Sequence, residues 1–72
     1  MGKKYVDFEF YQRKDISLKA KGLYAYMSIF PKETRFTKYG VIRVSKDGIN
    51  SVRTAWRELE EAGYLQDGYL IK

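Results

Sequence analysis

The chain has 72 residues, of which 44% are hydrophobic and 12 are aromatic, so it is long enough for one small domain and too apolar for a disordered tail. It contains no Cys and no His, which excludes disulfides, zinc fingers and nucleophilic catalysis of the Ser-His-Asp or Cys-His type. The net charge is +5, with a balance of +8 in residues 1–57 and −3 in residues 58–72, so most of the chain suits a polyanionic partner.

The first two elements are a strand and a helix. Residues 5–10 alternate apolar with acidic side chains, which predicts a half-buried strand with the aromatic edge Tyr5, Phe8 and Phe10. Ser17 can cap a helix from Leu18 to Phe30, ended by Pro31. This helix has two apolar sides, Ala20, Leu23, Met27 and Phe30 on one and Leu18, Ala25 and Ile29 on the other. We therefore expect it to be packed on both sides, the second covered by the N-terminal strand or by a second subunit.

Two further helices follow a short extended stretch at residues 34–36. Thr37 can cap a helix to about Val44, although the β-branched residues of this segment also suit a strand. Residues 46–48 form a turn, from which Asp47 is expected to cap a helix over 49–62, with Gly63 just past its end. The predicted core stripe of this helix is Ile49, Val52, Trp56 and Leu59.

A tight hairpin is predicted at the end of the chain. Asp67-Gly68 lies between two short apolar runs, and Tyr64 and Tyr69 are candidates to pair across it. The predicted fold class is α+β, a winged helix-turn-helix with three helices, a short C-terminal β-hairpin and an N-terminal strand. As one domain over 1–72, it divides into a strand and arm (1–16), a three-helix core (17–62) and a wing hairpin (63–72).

Residues 15–65 resemble the N-terminal winged helix-turn-helix domain of replication-initiator and DnaD-like proteins of Gram-positive bacteria, their phages and plasmids. The segments that carry the resemblance are 17–27, 36–40, 46–53 and 58–65. It implies that residues 37–44 are the first helix of the motif, that the helix from Ile49 is the recognition helix, and that the partner is double-stranded DNA. The hairpin is shorter here than is usual in the family, so we expect little DNA contact from the wing.

The residue types on the outer face of the third helix agree with DNA reading. Arg can bond guanine, Asn can bond adenine, and Ser and Thr adapt to either, so the base-reading candidates are Asn50, Ser51, Arg53, Thr54 and Arg57. The phosphate-binding candidates are Lys38, Arg43, Lys46 and Arg35, with Lys3 and Lys4 as weaker ones. The alternative interpretation is an ordinary solvated face with Arg57 paired to Glu61. The aromatic residues Tyr24, Tyr26, Phe30, Phe36 and Trp56 are expected in the core.

The predicted function is that of a small sequence-specific DNA-binding protein, a transcriptional regulator or replication accessory factor of a phage or mobile element. We expect a homodimer, formed partly by residues 5–10 and the second side of the first helix. The alternative is a winged-helix module that binds a host or phage protein. No paired carboxylates, glycine-rich phosphate loop, signal peptide or membrane span is recognisable. We therefore expect no enzyme activity, metal or cofactor, no membrane partner, and a location in the bacterial cytoplasm.

Overall fold

The computed structural model describes residues 8–71, which form four helices and one two-stranded antiparallel hairpin in an α+β arrangement. The helices are α1 (Phe8–Gln12), α2 (Leu18–Ser28), α3 (Lys38–Val44) and α4 (Ile49–Glu61), and the strands are β1 (Leu65–Gln66) and β2 (Tyr69–Leu70). Helix α4 is central, since it packs against α2, α3 and β1. No helix in this part of the chain is long and apolar enough to cross a lipid bilayer.

The N-terminal element is a helix where the sequence predicts a strand. Residues 8–12 are helical, and residues 5–7 lie outside the described residues. The Phe10 side chain is fully buried, with its ring centroid 4.4 Å from that of Tyr24 and 4.6 Å from that of Tyr64. A strand here would need a neighbour to accept its backbone hydrogen bonds, whereas a helical turn satisfies its own. The predicted aromatic edge is therefore wrong for Phe10, which is a core residue.

Helix α2 begins as predicted, because the Ser17 Oγ accepts the Ala20 backbone N–H at 3.2 Å. It ends at Ser28, two residues early, since a residue followed by proline, as Phe30 is by Pro31, is disfavoured in helical conformation. Its inner side is buried, but Leu18 is 84% exposed and Ile29 73% exposed on the outer side. No element among residues 8–71 therefore covers the outer side, and its covering by a second subunit stays a prediction.

The caps of α3 and α4 differ in how well the sequence predicts them. Thr37 Oγ1 accepts the Gly40 N–H at 3.1 Å, which confirms Thr37 as the cap and the helix over the strand alternative. The predicted cap Asp47 is wrong, because Gly48 occupies the N-cap position of α4 without a side-chain hydrogen bond. The Gly48 carbonyl accepts the Val52 N–H at 3.2 Å, so Asp47 lies one residue too early.

The core stripe of α4 comprises Val52, Ala55, Trp56 and Leu59. Ile49, which the sequence places in this stripe, is 47% exposed, because it lies in the first turn at the edge of the core. Of the aromatic residues predicted in the core, Tyr24 and Trp56 are buried, Tyr26 and Phe36 are half-buried against it, and Phe30 is exposed at its rim.

The predicted hairpin is confirmed. Asp67 and Gly68 have φ of 55° and 86°, and positive values at both central residues are what a tight two-residue turn requires. The register pairs Leu65 with Leu70 and Gln66 with Tyr69, so the predicted pairing of Tyr64 with Tyr69 is wrong. Residues 34–36 are extended as predicted and lie beside β2, where Arg35 forms a bridge with Tyr69.

Candidate nucleic-acid interface

The outer face of α4 is polar and exposed along its N-terminal half. Because successive helical residues turn by about 100°, the face opposite the buried stripe contains Asn50, Arg53, Thr54 and Arg57. Asn50, Arg53 and Arg57 are exposed, and Thr54 is half-buried. The fold therefore brings together four of the five residues that the sequence predicts to read bases.

The fifth residue, Ser51, lies elsewhere on α4. It lines a cavity of about 290 Å³ between α2, α3 and α4, with Tyr26, Val44 and Ser45 among the other lining residues. The helical rotation turns its side chain towards α2 and away from the side that presents Arg53 and Arg57. Ser51 is therefore separated from the other candidate base-reading residues.

Thr54 makes one hydrogen bond that limits what it can do. Its Oγ1 donates to the Asn50 backbone carbonyl at 2.9 Å, one turn earlier in α4. The hydroxyl proton is thus engaged within the helix, while the oxygen lone pairs are left as acceptors. An acceptor at this position can receive a hydrogen bond from the exocyclic amino group of adenine or cytosine.

Lys38 lies at the junction of α3 and α4. Its Nζ is 5.9 Å from the centroid of the Trp56 ring, within the range of a cation–π interaction. Lys38 and Arg53 also line the same shallow groove between the two helices, together with Tyr39, Ile42 and Ile49. The fold therefore places a predicted phosphate-binding residue beside a predicted base-reading residue.

Arg43 and Lys46 continue this basic surface past the end of α3. Arg43 is in the last turn of α3, and Lys46 lies in the segment 45–48 that connects α3 to α4. Both side chains are exposed. They occupy positions that flank α4 at its N-terminal end, which is the end where Asn50 and Arg53 lie.

Arg35 lies apart from these cations, at the tip of the hairpin. Its Nε donates to the Asp67 backbone carbonyl at 3.1 Å, and the Phe36 N–H donates to the Gly68 carbonyl at 2.7 Å. These contacts attach residues 34–36 to the turn. The terminal guanidinium nitrogens of Arg35 make no hydrogen bond to any described residue, so they are available as donors at the tip.

The basic residues of this surface have no acidic partner among residues 8–71. The ion pair in the described part of the chain joins Arg13 Nη2 to Asp15 Oδ2 at 2.7 Å, and the Arg57–Glu61 pair of the alternative interpretation is not formed. The Arg13 hydrogen bond lowers the pKa of the Asp15 carboxyl.

Near the C-terminal end of α4, Glu60 Oε2 accepts from Trp56 Nε1 at 3.2 Å and Glu58 Oε1 accepts from the Ser17 N–H at 2.9 Å. The carboxylates of Glu58 and Glu60 are therefore hydrogen-bonded to other parts of the fold, and neither forms an ion pair with Arg53.

Two apolar side chains in the groove are exposed, and neither is among the site residues that the sequence predicts. They are Tyr39 in α3, which is 76% exposed, and Ile49 in the first turn of α4, which is 47% exposed. The signal for Tyr39 is present in the sequence, because at helical spacing it lies opposite the buried Val41. Both give the basic surface an apolar component.

Within residues 8–71, no three acidic side chains are grouped closely enough to hold a metal ion. Comparisons with protein-family models, with curated proteins and with solved structures found no match to this chain.

Proposed function

We propose that this protein is a winged helix-turn-helix domain that binds double-stranded DNA, with α4 as the recognition helix. The order of α2, the extended residues 34–36, α3, α4 and the hairpin supports this arrangement. In a helix-turn-helix the second helix of the motif enters the major groove and the preceding helix crosses the backbone. Here α3 and α4 are those two helices, joined by residues 45–48.

The observation that carries the proposal is the set of cations around α4 without carboxylate partners among the described residues. The exposed side chains of this set are Lys38, Arg43, Lys46, Arg53 and Arg57. Exposed like charges repel one another, and DNA phosphates relieve that repulsion while releasing condensed counterions. On an ordinary solvated helix face, an Arg57–Glu61 ion pair would stabilise the helix. These two residues form no ion pair.

Each side chain has a role in this proposal. Arg53 and Arg57 donate to guanine, Asn50 pairs with adenine, and Thr54 accepts from an exocyclic amino group. Lys38, Arg43 and Lys46 hold phosphates on the strands beside the groove, and Arg35 adds a phosphate contact from the extended residues 34–36. The protein would act as a transcriptional regulator or replication accessory factor of a phage or mobile element in the bacterial cytoplasm. That role is what the resemblance of residues 15–65 to initiator domains supports.

A protein-interaction module is the second candidate function. The exposed Tyr39 and Ile49 favour it, because aromatic and aliphatic side chains at the centre of a patch are typical of protein interfaces. A protein partner with an acidic surface would fit the surrounding cations. Binding to such a partner would depend on Tyr39 as much as on Arg53.

Binding to a random duplex over a range of salt concentrations separates the two functions. A DNA-binding protein loses affinity steeply as salt rises, with a slope close to the number of phosphates that it neutralises. The informative variant is Arg53→Ala/Arg57→Ala, which removes two charges from the outer face of α4. The matched control is Lys14→Ala/Lys21→Ala. It removes two charges near the start of α2, which the Ser17–Glu58 hydrogen bond holds against the C-terminal half of α4.

We expect the parent and the control to bind duplex DNA similarly and the arginine variant to bind weakly. Equal loss in both double variants would show that net charge alone matters. Unchanged binding in the arginine variant would show that α4 does not contact DNA. Absence of salt-dependent binding in the parent would favour the protein-interaction function.

A further inference from the structure

The groove between α3 and α4 contains an exposed isoleucine that has no role among the proposed DNA contacts. Ile49 is the first residue of α4, and its side chain is exposed. The groove has a volume of about 310 Å³, and the described residues that line it are Lys38, Tyr39, Ile42, Ile49 and Arg53. None of these residues is acidic. The groove therefore combines an apolar lining with two positive charges.

Ile49 lies on the edge of α4 that faces α3, between the buried stripe and the outer face. At about 100° per residue, Arg53 is about 40° from Ile49 around the helix and one turn further along. Trp56 is about 20° away on the other side of Ile49. The Trp56 ring is the one that Lys38 Nζ approaches to 5.9 Å. Ile49 therefore lies beside both Lys38, proposed to hold a phosphate, and Arg53, proposed to read a guanine.

Thymine is the base that presents an apolar group in the major groove of DNA. Its C5-methyl contacts apolar side chains, whereas the other groups that distinguish the base pairs there are hydrogen-bond donors and acceptors. The methyl group lies at the edge of the groove, next to the backbone of its own strand. A side chain that contacts it must therefore lie close to a residue that binds phosphate, as Ile49 lies close to Lys38.

Helix stability gives no reason for an isoleucine at this position. A β-branched side chain is a weaker helix former than alanine, and Ile49 is too exposed to contribute much to the core. Contact with a methyl group would remove apolar surface of both groups from water, which is favourable. The side chain of Ile49 has no donor or acceptor, so it matches thymine through this methyl alone.

We propose that Ile49 contacts the C5-methyl of a thymine and so adds a preference for that base to the binding site. This inference rests on the proposed function, because it requires α4 to enter the major groove. One helical turn separates Ile49 from Arg53, which is about 6 Å or about two base-pair steps. The thymine therefore lies within about two base pairs of the guanine that Arg53 reads, on the strand whose phosphate Lys38 holds.

Deoxyuridine is the probe for this contact, because it pairs as thymine does and lacks only the methyl group. The parent protein first selects its preferred site from random duplexes, and each thymine of that site is then replaced singly by deoxyuridine. We expect one replacement to weaken binding of the parent about fourfold, the effect of losing one buried methyl group. The other replacements should have much smaller effects.

Four variants identify the residue that contacts the methyl group. Ile49→Ala should bind the thymine and deoxyuridine duplexes equally, whereas Ile49→Val keeps a branched apolar side chain and should still distinguish them. Arg53→Ala should bind both duplexes more weakly and keep the ratio of about fourfold. The matched control is Ile71→Ala, which truncates an isoleucine outside α4 that is 49% exposed, against 47% for Ile49. Circular dichroism confirms that each variant is folded.

The outcomes separate this inference from the proposed function. A parent without salt-dependent binding to duplex DNA contradicts both and favours the protein-interaction function. A parent that binds its site but is insensitive to every deoxyuridine overturns the thymine contact alone, as does a ratio that Ile49→Ala leaves unchanged. Loss of the ratio in Arg53→Ala but not in Ile49→Ala would assign the contact to the aliphatic stem of Arg53. Loss in Ile71→Ala would show that the effect is not specific to Ile49.

Discussion

The backbone N–H of Ser17 donates to Oε1 of Glu58 at 2.9 Å, across 41 positions of sequence. Ser17 also accepts the Ala20 N–H with its Oγ, so the first turn of α2 has a cap within the helix and a second one from α4. In a capping box, a residue three positions along the same helix supplies the second acceptor. Here a different helix supplies it, and the hydrogen bond joins the start of α2 to the body of α4.

Replacing Glu58 tests the strength of this connection. Glu58→Ala leaves the Ser17 N–H without its acceptor, and we expect the free energy of unfolding to fall by about 1–3 kcal/mol. Glu58→Gln keeps an acceptor oxygen and should cost less. Urea denaturation measures both, with the exposed Glu61→Ala as the control. Equal stabilities of Glu58→Ala and Glu61→Ala would contradict the role of the hydrogen bond.

Trp56 is the largest side chain of the α4 core stripe. Trp56→Ala removes a buried indole and should lower the free energy of unfolding by about 3–5 kcal/mol. Trp56→Phe retains most of the volume but loses the hydrogen bond to Glu60, so its cost should be smaller. Thermal unfolding followed by circular dichroism gives the values. The control is Arg57→Ala at the neighbouring exposed position, which should unfold at the same temperature as the parent. A Trp56→Ala protein that also unfolded at that temperature would contradict the burial of Trp56 in the core.

Alanine at two glycines should have opposite effects on stability. Gly68 has a φ of +86°, and a Cβ there would lie 2.5 Å from the Phe36 carbonyl oxygen, so Gly68→Ala should destabilise the hairpin by more than about 1–2 kcal/mol. Gly22 is in the middle of α2 with open space around it, so Gly22→Ala should stabilise by about 0.5–1 kcal/mol. Urea denaturation of the parent and the two variants compares the effects. A stabilising Gly68→Ala would contradict the expected clash with the Phe36 carbonyl, and a destabilising Gly22→Ala would contradict the expected gain in helix stability.

The Asp15 carboxyl should titrate below its ordinary pKa of 3.8, chiefly because Arg13 donates hydrogen bonds to it. A group whose pKa is lowered by folding contributes stability above its unfolded pKa, and that contribution disappears as the pH falls through the folded pKa. We expect stability to decrease with acidification in this range, and less so in Asp15→Asn. Carboxyl NMR titration should show the pKa rising towards 3.8 in Arg13→Ala and rising less in Lys21→Ala. An unchanged value in Arg13→Ala would contradict the assignment.

Arg53 and Lys46 should differ in how they contribute to DNA binding, if the proposed function holds. Arg53→Ala should cost about 1–3 kcal/mol at the preferred site and relax the preference at one base position. Lys46→Ala should weaken binding to all sequences alike and lower the salt slope by about one. Selection from random duplexes, followed by salt titration of each variant, measures both properties. A uniform loss for Arg53→Ala would reassign it to a phosphate.

Local signals in the sequence determine much of this fold. The caps Ser17 and Thr37, the Gly63 position after α4 and the Asp67-Gly68 turn are all confirmed, because each depends on backbone conformation and on residues within a few positions. The helical spacing of Asn50, Arg53, Thr54 and Arg57 likewise predicts their shared face. The sequence by itself therefore predicts the polar residues that share the outer face of α4.

Tertiary packing decided what periodicity alone left open. The alternation in residues 5–10 suits a strand, yet Phe10 is buried in a helix because Tyr24 and Tyr64 form a pocket for its ring. The two apolar sides of α2 look alike in sequence, and only the position of α1 and α4 shows which one stays in water. Ile49 and Ser51 differ from their predicted places because burial depends on which neighbouring helix lies beside each turn. The Ser17–Glu58 hydrogen bond has no sequence signature, since a contact across 41 positions depends on how α2 and α4 pack together.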